Sequence, residues 1–188
     1  MRLTDIAHDY LRAQLKPGDR ALDATAGNGH DSRFMAGIIG SSGHLIAIDL
    51  QEAAIRATRA RIEAISSLPQ AELLVADHSQ TLKSLCSQYA QTISAITFNL
   101  GYLPGSDKRI QTKPKSTLTA LRAASELLKP DGLLLVTAYR GHDGGQAEAH
   151  AVAEWMHTIE IRGWSVTSHE PVVTSGRIPP ILWVARNT

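Results

Sequence analysis

The fold is decided by residues 21–31, whose sequence is Ala21-Leu22-Asp23-Ala24-Thr25-Ala26-Gly27-Asn28-Gly29-His30-Asp31. The first part is apolar, as in a buried strand, and the Gly-x-Gly pair that follows predicts a tight turn before a helix. The next apolar run closes with Asp49, twenty positions after Gly29. A strand, a glycine-rich turn, a helix and a strand ending in an acidic residue are typical of the first half of a nucleotide-binding α/β sheet.

Length and composition favour one globular domain over residues 1–188. The chain has 188 residues, of which 43% are hydrophobic and 20% charged, and its net charge of +1 does not by itself indicate a nucleic-acid partner. Cys86 is the single cysteine, so neither an internal disulfide nor a cysteine-rich metal site is expected. No apolar run has the roughly 20 residues of a membrane span, and the first residues lack a signal peptide's apolar core. We therefore expect a cytoplasmic protein without a membrane partner.

Strand and helix patterns alternate along the chain. Helices are predicted at 3–15, 32–39, 51–65, 79–89, 116–128 and 146–161, and strands at 20–25, 44–49, 71–77, 92–99, 133–139, 165–171 and 180–185. Alternation predicts a mostly parallel sheet with helices on both faces, and the last two strands, which lack a crossover helix, predict an antiparallel C-terminal hairpin. This seven-stranded, Rossmann-like α/β pattern is typical of class I methyltransferases and differs from that of dehydrogenases.

The first turn favours S-adenosylmethionine over a dinucleotide. Ser32 occupies the third glycine position of a dinucleotide fingerprint, and Asp31, the expected N-cap of the next helix, would repel a pyrophosphate. S-adenosylmethionine has no phosphate, and its ammonium can pair with Asp23 and Asp31. The alternative is that these two carboxylates only cap the turn.

The remaining cofactor contacts are predicted at strand ends. Asp49 would accept the ribose hydroxyls, and Asp77 with His78 would face the adenine, Asp77 accepting from its amino group. The full predicted cofactor site consists of Asp23, Thr25, Gly27, Asn28, Gly29, Asp31, Asp49, Gln51, Asp77, His78 and Asn99.

Four segments carry a resemblance to a known family. They are residues 23–36, residues 48–55, residues 98–108, and residues 139–145 followed by Glu148. Together they resemble the MnmM family of small methyltransferases, also described as rRNA methylases, over about residues 3–186. One departure is Thr174-Ser175-Gly176-Arg177-Ile178-Pro179-Pro180, where the family usually has an Asn-rich segment. The role of that loop is therefore open.

The resemblance implies an enzyme that uses S-adenosylmethionine to methylate the aminomethyl nitrogen of wobble 5-aminomethyl-2-thiouridine in tRNA. The tRNA anticodon stem-loop would be the partner. A methyltransferase for an rRNA base or a small amine remains an alternative, as does a non-catalytic protein that only binds S-adenosylmethionine. A homodimer is also left open.

The acceptor chemistry is predicted at the end of the fourth strand, where Asn99-Leu100-Gly101-Tyr102 begins a long loop. Methyltransferases acting on base amino groups often carry Asn/Asp-Pro-Pro-aromatic there, and the missing prolines argue against an ordinary adenine or cytosine enzyme. The Asn99 amide oxygen can accept from an amine, Gly101 permits close approach, and Tyr102 offers a ring for a pyrimidine. His142 could hold the amine or relay its proton. Asn99, Tyr102 and His142 are the predicted catalytic residues.

Basic residues cluster in the same loop. Lys108, Arg109, Lys113 and Lys115 lie within eight positions, which favours phosphate contact, although such clusters are often only solvated surface. The predicted substrate-binding residues are Gly101, Asp107, Lys108, Arg109, Lys113 and Arg140. The histidines outside these loops are scattered, so no metal site is predicted.

Overall fold

A computed structural model of the chain describes residues 2–102, 111–171 and 178–187. Its seven strands are β1 (Arg20–Asp23), β2 (His44–Asp49), β3 (Gln70–Val75), β4 (Ile93–Leu100), β5 (Leu128–Ala138), β6 (Ser165–His169) and β7 (Ile181–Arg186). The helices are α1 (Leu3–Gln14), α2 (His30–Ile39), α3 (Glu52–Glu63), α4 (His78–Tyr89), α5 (Pro114–Leu127) and α6 (Gly145–Ile161). None of the described helices combines the length and the apolar character that crossing a membrane requires.

The strands form one sheet in the order β3-β2-β1-β4-β5-β7-β6. The first five are parallel, whereas β7 runs antiparallel to both β5 and β6. This confirms the predicted Rossmann-like sheet with an antiparallel C-terminal pair. Because β1 and β4 are central and parallel, Asp23 and Asn99, which lie at or near the carboxyl ends of these strands, are at the same edge of the sheet.

The sheet is covered on both faces. Buried residues of α1, α2 and α3, including Leu11 and Met35, pack in one apolar cluster with one face of the strands. Residues of α4, α5 and α6, including Leu82 and Met156, pack with the other face around Phe98. Central strands buried on both sides explain the continuous apolar runs from which the sheet is predicted.

Two predicted boundaries are corrected by the structure. Helix α2 begins at His30 with Gly29 as its N-cap at φ 77°, so Asp31 lies in the first helical turn and is not the cap. Strand β5 begins at Leu128, five residues before the predicted start at residue 133, and residues 128–132 form an irregular part of the strand. It stays attached to the sheet because the Asp131 N–H donates to the Asn187 carbonyl over 2.6 Å.

Candidate active site

One large cavity of about 1620 Å³ opens at the carboxyl edge of the sheet. Ligand pockets in proteins commonly enclose roughly 300–1,000 Å³, so there is room for a cofactor and part of a second substrate. The predicted site residues that line it are Thr25, Gly27, Asn28, Asp31, Asp49, Gln51, Asp77, His78, Asn99, Gly101, Tyr102, Lys113, Arg140 and His142. Strand ends that are far apart in sequence therefore meet at one site.

Asp49 holds the β1–α2 turn in shape. One carboxylate oxygen accepts from the Gly27 N–H and the other from the Gln51 N–H, both over 2.9 Å. Each carboxylate oxygen has a further lone pair, so Asp49 can still accept from the hydroxyls of a ribose at the cavity wall.

The donor set fits S-adenosylmethionine better than a phosphate-bearing cofactor. Residues 24–31, which form the β1–α2 turn and the start of α2, contain no lysine or arginine, and their one carboxylate, Asp31, lines the cavity. A carboxylate there suits an ammonium and opposes a pyrophosphate. Asp49, which also lines the cavity, can accept hydrogen bonds from a ribose diol.

Asp31 bridges two other side chains. One oxygen lies 2.8 Å from His8 Nε2 of α1, and the other accepts from Asn99 Nδ2 over 2.8 Å. Although burial opposes ionisation, these hydrogen bonds hold the pKa of Asp31 below its ordinary value. Asp31 is therefore a carboxylate that accepts from both neighbours.

Asp23 lies beneath the cavity, and this corrects the prediction that it meets the cofactor directly. Its side chain is fully buried and accepts from Ser32 Oγ over 2.6 Å and from the Thr25 N–H over 3.3 Å. Burial, together with the negative charge of Asp31, raises the pKa of Asp23 to about 7. Asp23 can influence a bound cation only through the groups above it.

Gly29 also differs from its predicted role, since it is not among the cavity-lining residues. A Cβ on Gly29 would lie 2.6 Å from Thr58 Cα, and the backbone has φ 77°. The glycine is needed for close packing of the turn against α3, not for close approach of a ligand.

The predicted adenine contacts have different surroundings. Asp77 is the N-cap of α4, and its Oδ1 accepts from the N–H groups of Ser79 and Gln80 over 2.7 and 3.3 Å. That carboxylate oxygen is already engaged as a helix cap. His78 is buried against Phe98, ring edge to face at 5.9 Å, and its Nε2 has no hydrogen-bond partner among the described residues. Burial lowers the pKa of His78.

The four residues predicted for the acceptor side all line the cavity: Asn99, Gly101, Tyr102 and His142. The Tyr102 and His142 rings meet edge to face, with centroids 5.7 Å apart. His142 Nδ1 lies 3.0 Å from the Asp143 carbonyl, which can only accept, so Nδ1 is the donor in this contact. Nε2 is buried, and Cβ atoms added at Gly101 and Gly145 would lie 3.4 and 2.8 Å from it. In this conformation His142 supports Tyr102, and a proton relay would require the ring to turn.

A buried carboxylate anchors the end of the acceptor loop. Glu148 on α6 is 2% exposed and accepts from Thr112 Oγ1 and Thr117 Oγ1, each over 2.6 Å. The Thr112 N–H donates to the Gly101 carbonyl over 2.9 Å, which ties residue 112 to the end of β4. Glu148 therefore holds Thr112, and through it the end of β4 from which Gly101 and Tyr102 follow.

The predicted substrate-binding residues have mixed outcomes. Lys113 lines the cavity and is exposed. Arg140 also lines it, but its guanidinium pairs with Glu170 over 3.1 Å and donates to the Pro179 carbonyl over 2.7 Å. This favours a role in holding the segment before β7 over phosphate contact. Asp107, Lys108 and Arg109 lie outside the described residues.

Two residues of α1 are close to the site although no sequence motif predicts them there. Thr4 lines the cavity, and His8 reaches Asp31. They are one helical turn apart on an amphipathic helix, where a polar pair normally indicates a solvated face. Only the packing of α1 against α2 brings Thr4 to the cavity and His8 to Asp31.

A family model and a sequence relative both place the chain among methyltransferases that act on RNA or are described as rRNA methylases. The family model described as “Putative rRNA methylase” matches residues 45–186. A chloroplastic tRNA (mnm(5)s(2)U34)-methyltransferase from Arabidopsis thaliana is 33% identical over 171 residues, which is 87% of this chain and 62% of that protein. The chain thus spans less than two thirds of that relative.

Solved structures agree with this result. A protein from Clostridium thermocellum that carries the same rRNA-methylase description has 31% identity and a TM-score of 0.89, covering 98% of this chain and 97% of the other. A methyltransferase from Streptococcus mutans, solved with S-adenosylhomocysteine, has 28% identity and a TM-score of 0.83 over 100% and 99% of the two chains.

Proposed function

Because the chain belongs to the rRNA-methylase family of S-adenosylmethionine-dependent methyltransferases, we propose that it methylates tRNA at the wobble uridine. The acceptor is the aminomethyl nitrogen of 5-aminomethyl-2-thiouridine, and the product is 5-methylaminomethyl-2-thiouridine. The Arabidopsis relative is itself named as a methyltransferase for the wobble uridine of tRNA, which supports a tRNA substrate.

The observation that carries the proposal is the orientation of the Asn99 amide. Its nitrogen donates to the Asp31 carboxylate, so its oxygen is the group left for the cavity. An outward amide oxygen suits an acceptor that has an N–H to donate. A neutral primary amine has two N–H bonds and one lone pair, so it can donate to Asn99 and attack with the lone pair.

The donor would be held by residues of the β1–α2 turn and the end of β2. Asp49 would accept from the ribose hydroxyls, and Asp31 would accept from the ammonium of the methionine part. S-adenosylmethionine supplies, when bound, a methyl group activated by the positive sulfur. The chain's own contribution is to orient the reacting groups, which accounts for much of the rate in such a displacement.

The reaction balances with one proton released. The amine lone pair would form the new N–C bond to the methyl group that S-adenosylmethionine supplies, the sulfur would keep the electrons of the broken C–S bond, and the nitrogen would then lose a proton to water. Asn99 would aim the lone pair, while Tyr102, held edge to face by His142, would offer its ring to the thiouracil base. Glu148 would keep the base of this loop in place.

The decisive test is the wobble nucleoside content of tRNA. Mass spectrometry of tRNA from a deletion strain should show 5-aminomethyl-2-thiouridine in place of its methylated form, and a plasmid carrying the wild-type chain should restore the product. Purified protein with S-adenosylmethionine should also methylate tRNA from that strain and leave ribosomal subunits unmodified. Methylation of the ribosomal subunits alone would instead favour an rRNA acceptor.

The Asn99→Ala variant separates catalysis from cofactor binding. It should fail to restore the product in the deletion strain while its affinity for S-adenosylhomocysteine, measured by calorimetry, stays within about threefold of wild type. Full restoration by this variant would contradict the assigned role. Equal loss of turnover and of cofactor affinity would show that Asn99 is structural.

A further inference from the structure

Helix α1 brings a histidine to the back of the acceptor site. His8 is partly buried, with 22% of its side chain exposed, and its ring stacks on Phe34 of α2 with centroids 3.8 Å apart and planes 7° apart. This stacking fixes the ring plane, and Nε2 then lies 2.8 Å from an oxygen of Asp31. Two elements thus determine where the imidazole points.

The hydrogen bonds run in one direction from His8 to Asn99. An ionised carboxylate only accepts, so Nε2 of His8 must carry a proton, and the group that Asn99 turns toward Asp31 must be its NH₂. Asp31 uses a different oxygen for each partner, so both bonds exist together. The carboxylate is held between a donor on α1 and a donor on β4.

We infer that His8 is a positioning residue for methyl transfer, acting through Asp31 to keep the amide oxygen of Asn99 facing the acceptor. Without the His8 donor, the carboxylate is anchored on one side only and can rotate away from β4. The Asn99 amide can then turn over and present its NH₂ group, which cannot accept from the amine. This inference rests on the proposed function.

Two substitutions separate the donor from the ring. His8→Phe keeps an aromatic ring on Phe34 and removes the donor, whereas His8→Gln removes the ring and retains an amide N–H at a similar distance from the backbone. With wobble tRNA as acceptor, His8→Phe should lower kcat about tenfold, the effect of losing one charge-assisted hydrogen bond. His8→Gln should stay within about threefold of wild type.

The matched control is His150→Gln, on the exposed face of α6 with 77% of the histidine side chain accessible. It should leave kcat unchanged. The dissociation constant of S-adenosylhomocysteine should stay within about threefold of wild type in both His8 variants, because the charge of Asp31 is retained.

A readout that needs no turnover comes from the Asn99 side-chain amide in a ¹⁵N-labelled protein. Its proton facing Asp31 should resonate downfield and keep this shift in His8→Gln, but lose it in His8→Phe. If the wild-type protein does not methylate tRNA, the proposed function fails, whereas the amide resonance still tests the link from His8 to Asn99. Equal kcat in the two variants, or an Asn99 signal that is the same in both, would overturn the inference.

Discussion

Asp49 is the residue that we propose for the ribose hydroxyls of the cofactor. Both its oxygens already accept backbone N–H groups of the two loops that frame the cavity, and both have capacity left for a ribose. It therefore orders the turn and offers the hydrogen-bond acceptors at the same time.

Asp49→Ala should weaken binding of S-adenosylhomocysteine by about 1.5–3 kcal/mol, or roughly 10- to 150-fold, because charge-assisted hydrogen bonds are lost. Isothermal titration calorimetry measures this, and Asp9→Ala, an exposed carboxylate on α1, is the control. An affinity equal to that of wild type would remove Asp49 from the cofactor site.

Asp23 makes the stability of the protein depend on pH. Its pKa is raised from 3.8 to about 7 by burial and by the charge of Asp31. At pH values between these two, the folded state therefore keeps a proton on Asp23 that the unfolded state has lost. The stabilisation is fully present below the unfolded pKa and is lost as the pH rises toward about 7.

Replacing Asp23 with asparagine should remove this dependence. Between pH 5 and pH 8 the free energy of unfolding of Asp23→Asn should rise by about 2–3 kcal/mol relative to wild type, at about 1.36 kcal/mol per pH unit. Urea unfolding at both pH values measures it, with Asp9→Asn as the control. A difference between variant and wild type that stays constant with pH would mean that Asp23 is ionised in the folded protein.

At the scale of elements, the β1–α2 turn and helix α3 must come very close together. Gly29 has a positive φ and no space for a Cβ beside Thr58, although it carries no cavity surface. The second glycine of the opening motif thus allows the close packing of two elements.

Gly29→Ala should lower the free energy of unfolding by about 2 kcal/mol or more, because it adds backbone strain to a clash with the α3 backbone. Gly37→Ala in the same helix is the matched control, since nothing lies within 4 Å of an added Cβ there. That variant should gain about 0.5–1 kcal/mol from helix propensity. Similar stabilities for both variants by thermal unfolding would contradict the packing role.

At the scale of the whole molecule, a net charge of +1 means that any electrostatic attraction to RNA must come from local basic groups. Lys113 is an exposed basic side chain that lines the cavity just before α5, whereas Arg140 forms an ion pair with Glu170. An RNA strand entering the cavity would therefore pass Lys113.

If Lys113 contacts a phosphate, Lys113→Ala should reduce the slope of log binding constant against log salt concentration for tRNA by about 0.7–0.9. Fluorescence anisotropy at several salt concentrations measures it. Lys83→Ala on the exposed side of α4 should leave the slope unchanged. A slope unaffected by Lys113→Ala would place the phosphates elsewhere on the molecule.

Sequence patterns predict the sheet, its antiparallel final pair and about half of the cavity-lining residues, because apolar periodicity and strand-end polar residues are local patterns that a parallel sheet gathers at one edge. The tertiary structure alone decided what each polar group faces. It buried Asp23, engaged Asp77 as a cap and Arg140 in an ion pair, and brought His8 to Asp31. Those outcomes depend on contacts between elements far apart in the chain. Residues 21–31 therefore predict a cofactor site from two carboxylates, and only packing shows that Asp31 lines the cavity while Asp23 is buried.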